Sequence, residues 1–457
     1  MRNLTSVSVR NLLGAFDHHF DFPEIWEFVI LHGPNGIGKT KLLELTHAIL
    51  RGELAGVHSI PFTSIAMTFS GGSTLTVQRA NRSQSVHKRT SKRNSVAYKE
   101  NLYGSHLLFR YSEGVAEVKR WTEPILQDSE SATSSVSPRD RLAIETTLWM
   151  IQQQRDSPLD PWLIREYMRS THGRPRDDER HPAYRMLIED VNIHLIETQR
   201  LLDLASYSSK SSEKFGSGTK SRAESYSADI ARRIKEVLAE SSPVSQELDR
   251  TFPARVLTGE EQPEPPDDAE LREEYYRQAR LRERLAQIDL LETAPEIALP
   301  KVLLPWQSRV LWTYLQDSDL KLDLFEGFLA KLELLIEIVN SRFLHKHLRI
   351  DRDKGFVFET AQGEVVRPEQ LSSGEQHELV LFYDLLFRVK AGSLVLIDEP
   401  EISLHVSWQR EFLNDIVRVA RLTSLRFVVA THSPQIAHKW IERTVALRPG
   451  RDREVEA

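Results

Sequence analysis

Three short stretches place reactive residue types at spacings that packing alone does not call for. Gly33-Pro34-Asn35-Gly36-Ile37-Gly38-Lys39-Thr40 fits the pattern G-x-x-x-x-G-K-[ST] at every position. Its glycines let backbone N–H groups curl around phosphate oxygens, and a helix starting there adds its N-terminal dipole. Lys39 would reach the β- and γ-phosphates of a nucleotide such as ATP, and the Thr40 hydroxyl would ligate its Mg2+. Leu394-Val395-Leu396-Ile397-Asp398-Glu399 is four apolar residues ending in two acids. It is either a core strand meeting solvent or, facing a phosphate loop, a Walker B strand. In the second case Asp398 holds the Mg2+ shell and Glu399 orients or deprotonates the attacking water. The third stretch, Leu371-Ser372-Ser373-Gly374-Glu375, is either an ordinary serine helix cap or a turn offering N–H groups and a hydroxyl to a γ-phosphate.

Strands and helices must bring these groups together. Trp26–Leu31 (WEFVIL) reads as a short buried strand feeding the glycine-rich loop, and TKLLELTHAIL behind the loop has helical apolar spacing. Thr5–Val9 and His18–Phe22 read as paired strands. So do Ser64–Ser70 with Ser73–Gln78 across Gly71-Gly72, and His106–Tyr111 with Ala116–Trp121. Asn192–Ile196 and Phe427–Val429 read as further core strands. Apolar spacing predicts helices at Arg141–Arg155, Ala228–Glu240, Ala269–Leu291 and Gln307–Leu344. At ~1.5 Å per residue the third would be roughly 35 Å long. Asp128–Ser137 and Ser206–Ser227 are serine-rich and read as loops. The expected organisation is an α/β head whose N-terminal part spans 1–205 and whose C-terminal part spans 306–457, with a helical lobe, 206–305, inserted between them.

Leu371 precedes Asp398 by 27 positions, and that ordered pair of motifs resembles the signature and Walker B of ABC and SMC ATPases. The resemblance implies that Ser372, Ser373, Gly374 and Glu375 contact a γ-phosphate and that Glu399–His405 (EPEISLH) is a D-loop. It also implies that His432, in Ala430-Thr431-His432-Ser433-Pro434, is the γ-phosphate-sensing switch histidine. The class uses a Q-loop glutamine as well; Gln199, in IETQRL, is the candidate Mg2+ ligand and water-positioning residue, with Gln152, Gln153 and Gln154 as alternatives. Arg10 and Asn11 are candidates for nucleotide contact from the first strand. The C-terminal wording resembles the compact OLD-like ATPases of bacterial anti-phage systems, such as AriA of PARIS and PtuA of Septu. The implied fold is an ABC-type head, a mixed sheet with an antiparallel β subdomain, carrying a helical or short coiled-coil lobe. The implied assembly is at least a homodimer, with ATP on one protomer closed by the signature of the other. The implied partner is a separate effector, a Toprim-like or HNH nuclease, and the implied trigger a phage protein or nucleic acid. No Toprim domain is expected after His432, so the chain alone is expected not to cut nucleic acid.

Composition sets the outer bounds. At 457 residues, with 40% hydrophobic and 28% charged residues, the chain reads as a soluble globular protein with more than one structural unit. A net charge of −6 gives no global reason to bind nucleic acid or an anionic membrane. The absence of cysteine excludes disulfides, thiolate metal sites and cysteine nucleophiles, and fits a reducing cytoplasm. No window approaches the ~18 apolar residues of a membrane helix, and the N-terminus lacks the apolar core of a signal peptide. Between Arg79 and Lys99 lie Arg79, Arg82, Lys88, Arg89, Lys92, Arg93 and Lys99 with no acid. That stretch is a solvated loop or a contact for DNA, RNA or an acidic protein. In Ala269–Leu291 a stripe of Leu271, Tyr275, Leu281, Leu285 and Ile288 either packs on the parent protein or docks a partner. Three functions fit to different degrees: a sensor ATPase of a two-component defence system, a RecF-like DNA-repair or chromosome-maintenance ATPase, and a transporter ATPase. The last fits least, because the lobe is long and the motifs differ from LSGGQ–DEPT.

Overall fold

The computed structural model describes residues 2–79, 106–114, 116–124, 181–196, 222–258, 264–292 and 298–448. Strands β3 (Phe28–His32), β8 (Ile193–Ile196), β12 (Leu394–Asp398), β13 (Arg426–Thr431) and β14 (Thr444–Ala446) form a parallel sheet in the order β14-β3-β13-β12-β8. Their runs (FVIL, LVLI, FVVA) are apolar on both faces because the sheet is covered on both. Val29, Leu31, Leu394, Leu396, Val428 and Ala430 join one core, which includes helix α1 (Lys39–Arg51). The alternate residues, such as Phe28, Ile30, Val395 and Val429, join the other. One strand, β13, stands between the strand that feeds the phosphate loop and the strand that ends in acids. Register pairs Thr431 with His32 and Asp398 with Ala430, so the three carboxyl ends form a row.

Packed over the first core is an antiparallel sheet in the order β2-β1-β4-β5-β6-β7. It comprises Phe16–Asp21, Leu4–Leu12, Ser64–Phe69, Ser73–Arg79, His106–Glu113 and Ala116–Pro124. Burial alternates along β4 and β5, as a half-covered sheet requires. Gly71 and Gly72 both adopt positive φ, +83° and +78°, the two left-handed positions of a tight hairpin. A second small sheet, β9 (Lys346–Asp351), β10 (Gly355–Thr360) and β11 (Val365–Val366), has no counterpart in the sequence reading. It sits on the base of the lobe. At Gly355 (φ +80°) a Cβ would come within 1.9 Å of the Ser227 carbonyl. The Ser227 hydroxyl donates to Lys354 O and accepts from Phe356 N, both at 2.9 Å.

Three helices form the lobe: α4 (Arg222–Thr258), α5 (Asp268–Gln287) and α6 (Pro305–Asn340). α4 and α6 run antiparallel, tied by Lys321 to Asp249 (2.7 Å) and by a bidentate Arg255–Asp317 pair (2.5 and 2.6 Å). α4 is far longer than the expected Ala228–Glu240. It runs through Pro243 and Pro253, and its first residues, Arg222–Ser227, belong to a stretch read as loop. Each proline removes a helical hydrogen bond, but the cross-ties to α6 hold the helix on course. In α5, Leu271, Tyr275, Leu281 and Leu285 are buried against neighbouring elements, and Ile288 just beyond it is buried too. The stripe therefore packs on the parent protein and is closed to a docking partner. Gln278, wholly buried among them, donates to Leu315 O (2.9 Å). α6 starts on a proline at its first turn and ends at Asn340, short of the expected Leu344. Ile230, Leu285 and Leu329 share a core with Phe382 and Val395, so lobe and head are one packed body at the base.

The expected helix Arg141–Arg155, the segment 128–137, Gln199 and its alternatives, and the basic residues from Arg82 to Lys99 lie outside the described residues. Arg79, which is described, donates to the carbonyls of Val57 and Ile60 (2.7 Å each) over the Phe62 ring. Among the described residues no helix is long and apolar enough to cross a membrane.

Candidate nucleotide site

The loop after β3 turns into α1 at Gly38, whose φ of +92° is open to glycine but strained for other residues. A Cβ there would lie 3.1 Å from Leu12 Cδ2, so the β1–β2 hairpin presses directly on the loop. That hairpin carries Arg10 and Asn11, both exposed. Asn11 is held by its N–H donating to Asp17 (2.6 Å) and its amide donating to Thr63 (3.2 Å). Buried His18 contacts Ile37 O through Nε2 at 2.8 Å, a brace the sequence did not signal. Lys39 is buried, and its ammonium donates to Gly33 O (2.8 Å) and Pro34 O (3.1 Å), which folds the side chain over the loop. The first turn of α1 thus sets free backbone N–H groups beside a fixed cation at the loop, an arrangement suited to phosphate.

Thr40 Oγ1 donates to Asp398 Oδ2 at 2.8 Å, joining residues 358 positions apart. Burial pushes Asp398 up to about 6, with Glu399 and Glu44 adding to the rise while the Thr40 hydroxyl and Lys39 oppose it. Two hard oxygen donors beside a carboxylate short of positive charge fit Mg2+, with Thr40 and Asp398 as the residues that would hold it. When bound, the ion would neutralise charge on the β- and γ-phosphates. Glu399 follows in a left-handed conformation (φ 44°, ψ 57°), a strained backbone for a residue with a side chain. Its N–H donates to Ala430 O (2.9 Å), and its side chain is about a quarter exposed. The Glu399 carboxylate is therefore turned out at the strand ends beside Asp398, where a water-activating base would be needed.

His432, at the end of β13, stands between these groups. Its Nδ1 lies 3.0 Å from Glu401 Oε1 and 3.7 Å from Glu399 Oε1. Glu401 was missed in the sequence; its only signal there is a second acid two residues after Glu399. The signature turn is placed at the start of helix α7 (Ser373–Tyr383), where the helix-cap reading is the one observed. Ser372 caps the helix, its Oγ accepting from Glu375 N (3.4 Å), while its N–H (2.8 Å) and hydroxyl (2.9 Å) donate to Glu375 Oε2. Burial raises the Glu375 carboxyl, but Lys346 at 2.7 Å and the Ser372 donors outweigh it, so the net shift is downward. Ser372 and Ser373 are exposed. Among the described residues no hydrogen bond or ion pair links residues 371–375 to residues 33–40. The structure therefore brings together Lys39, Thr40, Asp398, Glu399 and His432, and leaves the signature turn apart from them.

A phosphate loop on a parallel sheet, with an acid pair one strand away, defines a P-loop NTPase head. Residues 179–437 match the family described as "AAA domain, putative AbiEii toxin, Type IV TA system", and the chain belongs to that family of P-loop ATPases. The chain is 34% identical over 80 residues to the "Retron Ec83 probable ATPase" of Escherichia coli, covering 15% of this chain and 14% of that protein. It is 31% identical over 85 residues to the thiamine import ATP-binding protein ThiQ of Cereibacter sphaeroides, covering 19% of this chain and 36% of that protein. A solved structure of the Smc head domain from Pyrococcus furiosus, with an extended coiled coil and bound to the C-terminal domain of ScpA, aligns at 12% identity. That alignment covers 98% of this chain and 94% of the other with a TM-score of 0.35, too loose to bear on the fold.

Proposed function

We propose that this chain hydrolyses ATP as the sensor or scaffold subunit of a two-component bacterial anti-phage defence system and controls a separate effector nuclease of Toprim-like or HNH type. The observation that carries the ATPase part is the Thr40–Asp398 contact, with Glu399 and His432 on the adjoining strand ends. A phosphate cradle, a cation site, a base and a phosphate-facing ring occupy one row. The defence part is supported by the family's description and by the similarity to a retron ATPase. Hydrolysis takes place at composite sites, with the signature turn of one copy closing on the phosphate loop of another. That assembly is supported by the exposure of Ser372 and Ser373 and by Ile402 (60%) and Val406 (57%), apolar residues left open within and just after the D-loop.

Glu399→Gln tests the catalytic reading. The amide cannot accept the water's proton, so the variant should bind ATP as the wild type does while turnover falls by about 10²–10⁴-fold. Turnover within a few fold of wild type would remove Glu399 from its role. Co-purification with neighbouring gene products, with and without ATP, tests the two-component reading, which fails if no nuclease accompanies the chain in either state.

A further inference from the structure

We propose that Glu401 is the positioning residue of this site, holding His432 so that Nε2 is the ring nitrogen offered to the substrate; the inference rests on His432 being the phosphate-facing group. Glu401 is buried on the short turn Pro400–Ser403 that follows Glu399. Its Oε1 accepts from Thr431 Oγ1 (2.7 Å), His432 N (2.8 Å) and Ser433 N (3.2 Å), and lies 3.0 Å from His432 Nδ1. One oxygen therefore gathers a hydroxyl, two backbone N–H groups and a ring nitrogen from the three residues where β13 ends. A carboxylate oxygen has no proton to give, so a ring nitrogen held 3.0 Å from it favours the tautomer with hydrogen on Nδ1. Nε2, on the opposite edge of the ring, is left for the substrate, as donor or acceptor according to the ring's charge.

Local packing uses only one oxygen of this acid. Oε1 satisfies the Thr431 hydroxyl and two backbone N–H groups, while Oε2 is buried and makes no hydrogen bond among the described residues. An acceptor is needed here, yet the second oxygen, left unpaired, costs stability. The turn is also braced from behind. Gln409, on helix α8 (Val406–Thr423), donates to Glu401 O (3.3 Å) and Leu404 O (3.2 Å) and accepts from Ser433 Oγ (2.8 Å). Glu401 is thus the joint between the turn after Walker B and the loop that carries His432, and any shift of the first reaches the ring through one oxygen.

The test compares Glu401→Met, which keeps length and removes the acceptor, with Glu401→Gln, which keeps an acceptor oxygen. Methionine should lower kcat for ATP about 10- to 100-fold, the usual loss when an oriented ring loses its partner. KM should stay within about threefold, since the groups that hold the nucleotide are untouched. Glutamine should recover most of the rate. In protein labelled with 15N-histidine, with the His432 ring assigned by Glu399-independent comparison to His432→Gln, wild type and Glu401→Gln should show Nδ1 protonated, and Glu401→Met should shift to the Nε2–H tautomer. Adding Glu401→Met to His432→Ala should cost nothing further. An unchanged kcat in Glu401→Met, or a lowered one with the Nδ1–H signature intact, overturns the proposal. A wild-type chain that fails to turn over ATP contradicts the underlying reading instead, and the tautomer measurement, which needs no turnover, still decides what Glu401 does to the ring.

Discussion

Asp398 illustrates how a functional residue weighs on the fold that carries it. Its carboxyl is pushed from an ordinary 3.8 to about 6 by burial, so ionising it in the metal-free protein is unfavourable. The folded value lies above the unfolded one, so the penalty grows as pH rises between about 4 and about 6 and is complete above that window. Asp398→Asn should therefore raise the thermal midpoint of metal-free protein at pH 7.5 and leave it nearly unchanged at pH 4. A shift of this size corresponds to roughly 2–3 kcal/mol. Equal melting at both pH values would mean that the carboxylate is not strained by its surroundings. At this scale the sequence was informative wherever the chemistry is local. The phosphate loop, Asp398, Glu399 and His432 announce themselves because each sits in a short pattern bound to one strand end. Glu401 and His18 did not, because their partners lie about 20–30 positions away and only the packed sheet brings them together.

The signature helix α7 is tied down at every turn. Lys346 holds Glu375 at its start, and Tyr383 donates to Asp229 (2.5 Å) at its end. In the next turn Asp384 accepts from Tyr226 (2.6 Å). Between them Glu378, wholly buried, pairs with Arg342, which also pairs with Asp415. Burial lowers the Arg342 guanidinium and raises the Asp415 carboxyl, and the attraction between the two offsets this only in part. The triad's members come from two residues past the end of the lobe helix α6, from the signature helix and from α8. Arg342→Ala, which strands two buried acids, should destabilise the protein by about 3–5 kcal/mol, whereas replacing all three by apolar residues of similar volume should return most of that. A loss under about 1 kcal/mol for the single variant would show that packing alone joins these helices. None of these ties was visible in the sequence. The stripe of α5 left packing and docking both open until burial decided for packing.

At the scale of the molecule, the head gathers Lys39, Thr40, Asp398, Glu399 and His432 at neighbouring strand ends, while no hydrogen bond or ion pair among the described residues joins the signature turn to the phosphate loop. The fold class was readable because apolar runs bounded by glycine-rich or acidic ends force a covered parallel sheet, and the hairpins declared themselves through Gly71-Gly72. The lobe's true extent was not readable, since it depends on pairing between α4 and α6. The proposal that ATP is hydrolysed where two copies meet is tested most directly by mixing two inactive variants. Lys39→Ala removes the cation that compensates the phosphates, and Ser373→Arg places a bulky side chain where a signature helix must approach the γ-phosphate. In a mixed pair, one composite site joins an intact loop to an intact signature, and the other carries both defects. With mixed assemblies confirmed by tag pull-down, phosphate release should return in the mixture although each variant alone is inactive. Normal hydrolysis by Ser373→Arg alone, or mixed assemblies that stay inactive, would contradict it.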